Sequence, residues 1–367
     1  MDQTDPITRI LLEGIQTQVF PGAVLFVRHQ GYVRVHQAVG VTSGLPDAHS
    51  VQRQTIYDLA SLTKPLATAT AMLLLVQDGL LDLTTPIDAL LKETKGYPLG
   101  QVVLKDLLCH QSGLPWWRPF YESFSPSLPS GAPSRQERVK AFLDAMLKEP
   151  VEAVSPPKSV YSDLGYMVLG FVVERITNQS LADVCQSRIF GPLHAGPLGY
   201  RGQNINEEMR SRVEECAPTE QDPWRGRLLQ GEVHDENAFA LGGIAGHAGL
   251  FGTAEAVGQV TQAWLDGYQG KPGLFDSHLV KKFVTAQPGT SWALGWDTPS
   301  QPSSSGQWFS PESFGHLGFT GTSIWIDPVR DLEVIFLSNR VHPTRENQAI
   351  KVFRPKLHDV IIQELGA

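Results

Sequence analysis

An apolar run with a polar start constrains the fold of this chain more than any other feature. Residues 66–76 are apolar nearly all round, which is the pattern of a helix buried in a protein core. Pro65 is tolerated only within the first turn of a helix, and Gly79 gives a typical end signal. The helix is therefore expected to begin just before Pro65, with Ser61 at its N-terminus and Lys64 on the same face.

Strand-like segments lie near both ends of the chain. Each end contributes two apolar segments separated by a short turn, which is the pattern of an antiparallel pair. The four segments are residues 23–27, 32–35, 322–326 and 332–337. Amphipathic helices are predicted at residues 5–19 and from Thr344 to about Leu365. The sequence therefore predicts an α+β fold, in which one antiparallel sheet built from both chain termini carries helices on both faces, with an inserted mainly helical lobe.

The middle of the chain is mostly helical and rich in loops. We expect residues 1–60 and 235–367 to form the α/β sheet region and residues 61–234 the mainly helical region, as one composite domain with the active site between them. Long loops are predicted at residues 115–134 and 298–315. The aromatic side chains of the first loop either wall a substrate cleft or cover the helical lobe.

The charge balance restricts the class of partner. The chain has 30 Lys and Arg residues against 38 Asp and Glu residues, a net charge of -8. Nucleic acids and anionic membranes need clustered basic residues, so neither is an expected partner. The sequence also lacks an apolar run of about 18 residues, so no membrane span is expected. A small molecule is the expected ligand, and no feature of the sequence indicates an oligomeric state.

The first residues and the cysteines bear on the compartment. Residues 1–6 lack the basic head and apolar core of a secretory signal. The chain as written is therefore expected to stay in the cytoplasm, or in the periplasm if a leader has been removed. Cys109, Cys185 and Cys216 are odd in number and have no C-x-x-C spacing, so we expect reduced thiols.

The pair formed by Ser61 and Lys64 suits nucleophilic catalysis. A serine hydroxyl is a weak nucleophile that needs a neighbouring base, and a partly desolvated lysine can serve as that base or relay the proton. The helix N-terminus adds positive potential where an oxyanion would form. A second S-x-x-K copy, Ser155 to Lys158, contains two consecutive prolines and is interpreted as a loop with a coincidental match.

Two further elements suit the same chemistry. Tyr161 precedes a predicted helix at residues 165–176, and a tyrosine beside a lysine can shuttle the proton of the nucleophile. Residues 315–322 enter a strand, and glycines such as Gly318 let a strand edge approach a ligand closely. A backbone N–H there is a candidate oxyanion donor.

In this order, the three elements resemble those of class C β-lactamases and penicillin-binding-protein-like serine hydrolases, a group that includes family VIII carboxylesterases. The shared pattern is S-x-x-K at a helix start, then Y-x-N, then K-T-G or H-x-G on a strand. The resemblance implies that Ser61 is the acylated nucleophile and that Lys64 and Tyr161 handle its proton. It also implies an oxyanion hole formed by the backbone N–H groups of Ser61 and Phe319.

The chain departs from that pattern at the residues that would contact a substrate. Asp163 stands where the β-lactamases have asparagine, and an ionised aspartate only accepts hydrogen bonds. Asp163 is also a candidate partner for Lys64, and this pairing would raise the pKa of the lysine. His316 and Leu317 replace the lysine and threonine of K-T-G, which suit a substrate carboxylate. His316 is expected to be cationic only below its ordinary pKa of about 6.5.

A cluster of His234, Asp235 and His247 has two interpretations. These side chains either converge as a metal site or line the cleft, or they tie a glycine-rich loop near it. The sequence contains no phosphate-binding loop, no dinucleotide fingerprint and no G-x-S-x-G elbow, so no cofactor is expected.

The sequence therefore predicts a serine hydrolase that forms an acyl-enzyme from an ester or amide, and an esterase-like activity is favoured. A D-Ala-D-Ala carboxypeptidase or weak β-lactamase is the alternative within the same class, although its substrate lies outside the cytoplasm. A third alternative is a relative without catalytic activity that binds a ligand of the penicillin-binding type. The retained Ser61, Lys64 and Tyr161 argue against this third alternative.

Overall fold

The computed structural model describes residues 5–46, 48–127, 133–152, 159–202 and 212–366. The strands are β1 (Gly22–His29), β2 (Tyr32–Gly40), β3 (Tyr57–Asp58), β4 (Leu198–Tyr200), β5 (Gln221–Asp222), β6 (Arg227–Leu228), β7 (Leu250–Gly252), β8 (Phe314–Leu317), β9 (Ser323–Asp327) and β10 (Leu332–Ser338). The helices are α1 (Pro6–Gln16), α2 (Thr70–Gln77), α3 (Ile87–Leu90), α4 (Leu104–Leu108), α5 (Arg135–Met146), α6 (Asp163–Thr177), α7 (Leu181–Cys185), α8 (Glu236–Ala240), α9 (Ala254–Gln269), α10 (Ser277–Val284) and α11 (Ile350–Leu365).

The main sheet has five antiparallel strands in the order β2-β1-β10-β9-β8. The two ends of the chain meet where β1 pairs with β10, for example at Phe26 and Ile335. All eight residues of β1 are buried, as expected for a strand covered on both faces of the sheet. This arrangement confirms the predicted sheet built from both chain termini.

Helices cover both faces of this sheet. On one face, Leu11 of α1 and Leu357 of α11 share a hydrophobic core with Leu25 of β1. On the other face, Gly258 of α9 lies against the ring of Phe26, and this core continues into the helical part of the chain. The predicted α+β architecture is confirmed.

The helix that carries the serine motif is continuous from a 3₁₀ turn at Ala60–Leu62, through a π-helical segment at Lys64–Ala69, to α2. Its residues from 64 to 75 are buried, which agrees with the apolar pattern of the sequence. The Thr70 hydroxyl donates to the carbonyl oxygen of Pro65 (2.7 Å). Helix α6 packs beside this helix and is buried over most of its length.

A three-stranded sheet in the order β3-β7-β4 fixes the start of the serine helix. Tyr57 pairs with Gly252 and Asp58 pairs with Phe251, so the chain enters the helix from a buried strand. Because Asp58 and Ser61 are three residues apart, the position of β3 sets the position of the serine.

Two details of the predicted elements change. The last helix begins at Ile350 and not at Thr344, because residues 339–349 form turns, in which Arg345 binds Glu220 (2.6 Å) and the Asn347 side chain caps Ala349 N–H (3.1 Å). The second S-x-x-K copy, at residues 155–158, lies outside the described residues.

The predicted boundaries between the α/β sheet region and the mainly helical region, at residues 60/61 and 234/235, stay a prediction. In the described ranges, no helix combines the length and the apolar character needed to cross a membrane.

Candidate active site

The turn before Ser61 is held by a buried carboxylate. Asp58 accepts the Ala60 N–H at one oxygen (2.8 Å) and the His234 N–H at the other (2.7 Å). Ala60 adopts a left-handed conformation (φ 47°), which is unfavourable for alanine and persists only where the surroundings hold it. The strained turn presents Ser61 at the start of the helix, with its side chain partly exposed.

Lys64 lies one helical turn from Ser61 and is completely buried. Its Nζ donates to Ser61 Oγ (3.0 Å), to Asp163 Oδ1 (2.6 Å) and to the backbone oxygen of His247 (3.2 Å). Three acceptors therefore fix the ammonium group at the serine hydroxyl. Asp163 forms a salt bridge with it, as the sequence suggested.

Tyr161 completes the group around the serine. Its phenol interacts with the side chains of both Ser61 and Lys64, and Lys64 Nζ lies 4.8 Å from the centroid of its ring. The ring of His110 lies against the Tyr161 ring (centroids 4.6 Å apart), and His110 Nδ1 accepts the Ser162 N–H (3.0 Å). His110 therefore positions Tyr161 both through its ring and through the backbone of the following residue.

The pKa values follow from burial and from these contacts. Burial alone would lower the pKa of Lys64, but the negative charge of Asp163, together with Tyr161, outweighs it and raises the pKa. Burial raises the pKa of the Tyr161 phenol, and the charge of Lys64 opposes this shift. At neutral pH, Lys64 is therefore an ammonium ion and Tyr161 a neutral phenol.

The third motif is fastened to the turn before Ser61. Thr320 Oγ1 donates to the Asp58 carbonyl oxygen (2.7 Å), and Thr322 Oγ1 donates to that of Leu59 (3.1 Å). These two hydrogen bonds connect residues more than 260 positions apart in the sequence. They hold the segment after β8 beside the serine.

An arginine orients the candidate oxyanion donor on that segment. Arg354 Nη2 donates to the Gly318 carbonyl oxygen (2.9 Å). In a trans peptide the C=O and N–H point in opposite directions, so this bond aims the Phe319 N–H away from Arg354. Ser61 lies in the first turn of its helix, where backbone N–H groups have no partner within the helix. The oxyanion hole formed by these two N–H groups stays a prediction.

Gly318 is the position where this segment is most sensitive to a side chain. A Cβ there would overlap Thr322 Oγ1 and lie 2.6 Å from the backbone oxygen of Leu59. We expect Gly318→Ala to push the Phe319 N–H out of position and to lower kcat by about 100-fold, the effect of losing one oxyanion donor. Steady-state kinetics measures it. Gly273→Ala, where a Cβ would have no neighbour within 4 Å, is the matched control. Equal kcat for both variants would contradict this role.

His316 differs from the sequence-based expectation. The ring is buried, and burial together with the nearby Lys64 charge lowers its pKa to about 3. His316 is therefore neutral throughout the physiological range, and the expectation that it becomes cationic below about pH 6.5 is wrong. Burial caused this error, because the sequence does not show that β8 places the ring inside the protein.

The histidines of the His234–His247 region have separate partners. His247 Nε2 binds Asp235 Oδ1 (2.7 Å), whereas His234 Nε2 binds Glu220 (2.8 Å). The charge and hydrogen bond of His247 outweigh burial and lower the pKa of Asp235. Within the described residues, no group of three or more His, Cys, Asp or Glu side chains could hold a metal ion. Because the His247 carbonyl also binds Lys64, these contacts favour the interpretation that the cluster ties a glycine-rich loop to the site.

Comparison with known proteins decides the family. The family model described as Beta-lactamase matches residues 7–355 of the chain. The chain belongs to the β-lactamase family. It is a serine hydrolase of that family, which confirms the predicted enzyme class. An N-acetylmuramyl-L-alanine amidase of Bacillus subtilis is 34% identical over 351 residues, covering 88% of this chain and 78% of the relative.

Other members of the β-lactamase family are similar over most of the chain. A putative D-alanyl-D-alanine carboxypeptidase of Escherichia coli K12 is 33% identical, covering 86% of this chain and 74% of the relative. The octameric penicillin-binding protein homologue from Pyrococcus abyssi has a TM-score of 0.74 at 21% identity, covering 100% of this chain and 78% of that chain. The structural likeness supports the fold predicted for this β-lactamase-family chain.

The aromatic loop of this β-lactamase-family protein covers the helical lobe, and its first residues also contact the active site through the backbone. Phe120 and Phe124 pack against Phe142 of α5 (centroids 5.8 and 5.4 Å apart) and cover the helical lobe. Earlier in the loop, the Trp116 backbone oxygen accepts the Asp163 N–H (2.9 Å). The start of the loop therefore borders the active site, while its middle completes a hydrophobic core.

Proposed function

We propose that this protein hydrolyses an amide or ester through an acyl-enzyme formed on Ser61. The observation that carries the proposal is the group around Ser61 Oγ. Lys64 Nζ lies 3.0 Å from this oxygen and the Tyr161 phenol lies beside it, next to two backbone N–H groups that suit an oxyanion. In this role Ser61 is the nucleophile, and Lys64 and Tyr161 move its proton.

The steps follow from these positions. The substrate carbonyl oxygen accepts hydrogen bonds from the backbone N–H groups of Ser61 and Phe319. The Ser61 proton passes to Lys64 in its neutral form, and Tyr161 bridges Ser61 and Lys64. The serine oxygen attacks the carbonyl carbon, and the proton is delivered to the leaving nitrogen or oxygen as the scissile bond breaks. Water then attacks the acyl-enzyme by the same route in reverse, releasing the acid and restoring Ser61.

Asp163 sets the pH range of this reaction. Activity should rise with pH as Lys64 loses its proton, and the charge of Asp163 raises the pKa of Lys64. Asp163→Asn removes that charge, lowers the pKa of Lys64, and should move the rising limb of the kcat/KM profile to lower pH. Asp144→Asn, an exposed carboxylate paired with Lys140, is the control. A limb that stays in place or moves to higher pH would contradict this role of Lys64.

For the substrate, we propose an amide of the N-acetylmuramyl-L-alanine type, as named for the Bacillus subtilis relative. A D-Ala-D-Ala carboxypeptidase must accommodate a terminal carboxylate, as the name of the Escherichia coli relative implies. In this site His316 is neutral and the Lys64 ammonium is bound to Asp163. Neither residue offers a free cation to a carboxylate, so cleavage of a muramyl–alanine amide whose alanine carboxyl is itself in amide linkage is favoured over carboxypeptidase activity.

A product assay tests this choice. The protein is incubated with N-acetylmuramyl-L-alanine, with its C-terminal amide, and with a peptide ending in D-Ala-D-Ala, and the products are separated by mass. We expect release of alanine or alaninamide by the wild type and none by Ser61→Ala. Cleavage of the D-Ala-D-Ala peptide alone would favour the carboxypeptidase alternative and refute the amidase proposal.

A further inference from the structure

His316 presents a hydrogen-bond acceptor at the edge of the active site. Its Nδ1 lies 2.8 Å from the Leu317 carbonyl oxygen, and a carbonyl only accepts, so Nδ1 carries the hydrogen. The ring is neutral, so Nε2 carries a lone pair. Nε2 is buried and has no hydrogen-bond partner in the part of the chain that the structure describes. A buried acceptor of this kind gains most from a ligand that brings a donor.

Asp163 presents a second acceptor near Ser61, through its contact with Lys64. One carboxylate oxygen binds Lys64, and 15% of the side chain remains exposed. A carboxylate has about four lone-pair sites, so Asp163 can accept a further hydrogen from a ligand. Tyr161 connects the two acceptors to one site, since it stands two residues before Asp163 in sequence and its ring lies 6.1 Å from the His316 ring.

The two residues invert the polarity that the β-lactamase pattern has at these positions. The pattern's lysine and asparagine amide both donate hydrogen bonds, whereas neutral His316 and ionised Asp163 only accept. A substrate carboxylate placed here would meet a lone pair and a negative charge, and would leave Nε2 without a donor. An amide N–H at the same place would satisfy either acceptor.

We propose that His316 and Asp163 together recognise a hydrogen-bond donor on the leaving-group side of the scissile bond, so that the enzyme prefers leaving groups that continue as an amide over those that end in a carboxylate. This inference rests on the proposed acyl-enzyme function. The substrate class is then an acylated alanine within a peptide or an alaninamide, and a free terminal alanine is disfavoured.

Matched substrates that differ only in this group test the inference. The first pair is N-acetylmuramyl-L-alanine and its C-terminal amide, and the second is 3-carboxyphenyl acetate and 3-carbamoylphenyl acetate. Rates are divided by those of alkaline hydrolysis to correct for leaving-group reactivity. We expect the wild type to prefer the amide member in kcat/KM by about tenfold or more, the effect of leaving a buried acceptor unpaired. Equal rates, or a preference for the carboxylate member, would overturn the inference.

Variants test whether His316 and Asp163 cause the preference for the amide member of each pair. Combining His316→Lys with Asp163→Asn restores donors at both positions, and we expect the ratio of amide to carboxylate rates to fall below that of the wild type by about tenfold or more. Because the ratio compares two substrates in one variant, general losses of activity cancel. The surface pair His278→Lys with Asp144→Asn makes the same formal change and should keep the wild-type ratio.

Two outcomes separate failure of the inference from failure of the proposed function. Turnover of both members of a pair without preference overturns the inference alone. No turnover of any substrate by the wild type overturns the acyl-enzyme proposal and the inference with it. If the double variant does not fold, His316→Gln replaces the lone pair with an amide that can also donate, and a wild-type ratio in that folded variant would exclude His316 from the recognition.

Discussion

Ser61→Ala is expected to lower kcat by a factor on the order of 10⁴ or more, the size of effect seen when the nucleophile of a serine hydrolase is removed. The reason is geometric, because the hydroxyl lost is the group that Lys64 Nζ binds at 3.0 Å and that lies beside Tyr161. Substrate binding should change much less, since the oxyanion donors are backbone groups. Steady-state kinetics on a neutral nitrophenyl ester measures both effects.

Ser125→Ala is the control for that experiment, because Ser125 is exposed and hydrogen-bonds only with its neighbour Ser127 among the described residues. It should retain wild-type kcat. If Ser61→Ala kept more than about a tenth of the wild-type kcat, a factor far too large for a missing nucleophile, Ser61 would not be the nucleophile.

Lys64→Met is expected to lower both activity and stability. The ammonium is buried and paired with Asp163 at 2.6 Å, so its removal leaves a carboxylate without its counter-ion. Breaking a buried ion pair from one side costs about 3–5 kcal/mol, and the partial exposure of Asp163 puts the expected loss near the lower end. Urea unfolding measures the free energy, and kinetics should show loss of nearly all acylation.

The double variant Lys64→Met with Asp163→Leu separates the two effects. Removing both charges should recover much of the free energy of unfolding, because the unpaired carboxylate is gone, but none of the activity. Lys140→Met, which breaks an exposed ion pair with Asp144, is the control and should change stability by less than about 1 kcal/mol. Full activity in Lys64→Met would exclude the lysine from proton transfer.

Local sequence patterns predicted the elements that bear the candidate site. The apolar run after Pro65 placed a buried helix, and so predicted where Ser61 and Lys64 lie. Pairs of apolar segments separated by short turns predicted the strand pairs at both chain ends. A strand that is buried on both faces of a sheet needs apolar side chains, and the sequence shows these directly. Functional residues that lie a few positions apart on one helix can therefore be predicted from the sequence.

Contacts between segments far apart in the chain could not be predicted from the sequence. Thr320 and Thr322 hold the third motif to residues 58 and 59 through hydrogen bonds that no local pattern encodes. The sequence feature that could have identified Asp58 is a carboxylate inside a short buried strand, three residues before the serine. The contact of His110 with Tyr161 joins two separate segments of the chain, so it could be found only from the fold.

Charge states were the least predictable property, because they depend on burial. His316 was expected to titrate near neutral pH, and the fold instead lowers its pKa to about 3. For Lys64 the sequence left two possibilities, a partly desolvated lysine without a counter-ion or one paired with Asp163. The 2.6 Å contact between Lys64 and Asp163 decides for the second.

Mass analysis of a covalent adduct identifies the residue that is acylated. The wild type is incubated with a fluorophosphonate and, separately, with a fluorescent penicillin, digested, and searched for modified peptides. We expect an organophosphorus adduct on Ser61, absent from Ser61→Ala, whether or not the penicillin reacts. An adduct on another serine, such as Ser155 in the second S-x-x-K copy, or equal labelling of Ser61→Ala, would contradict it.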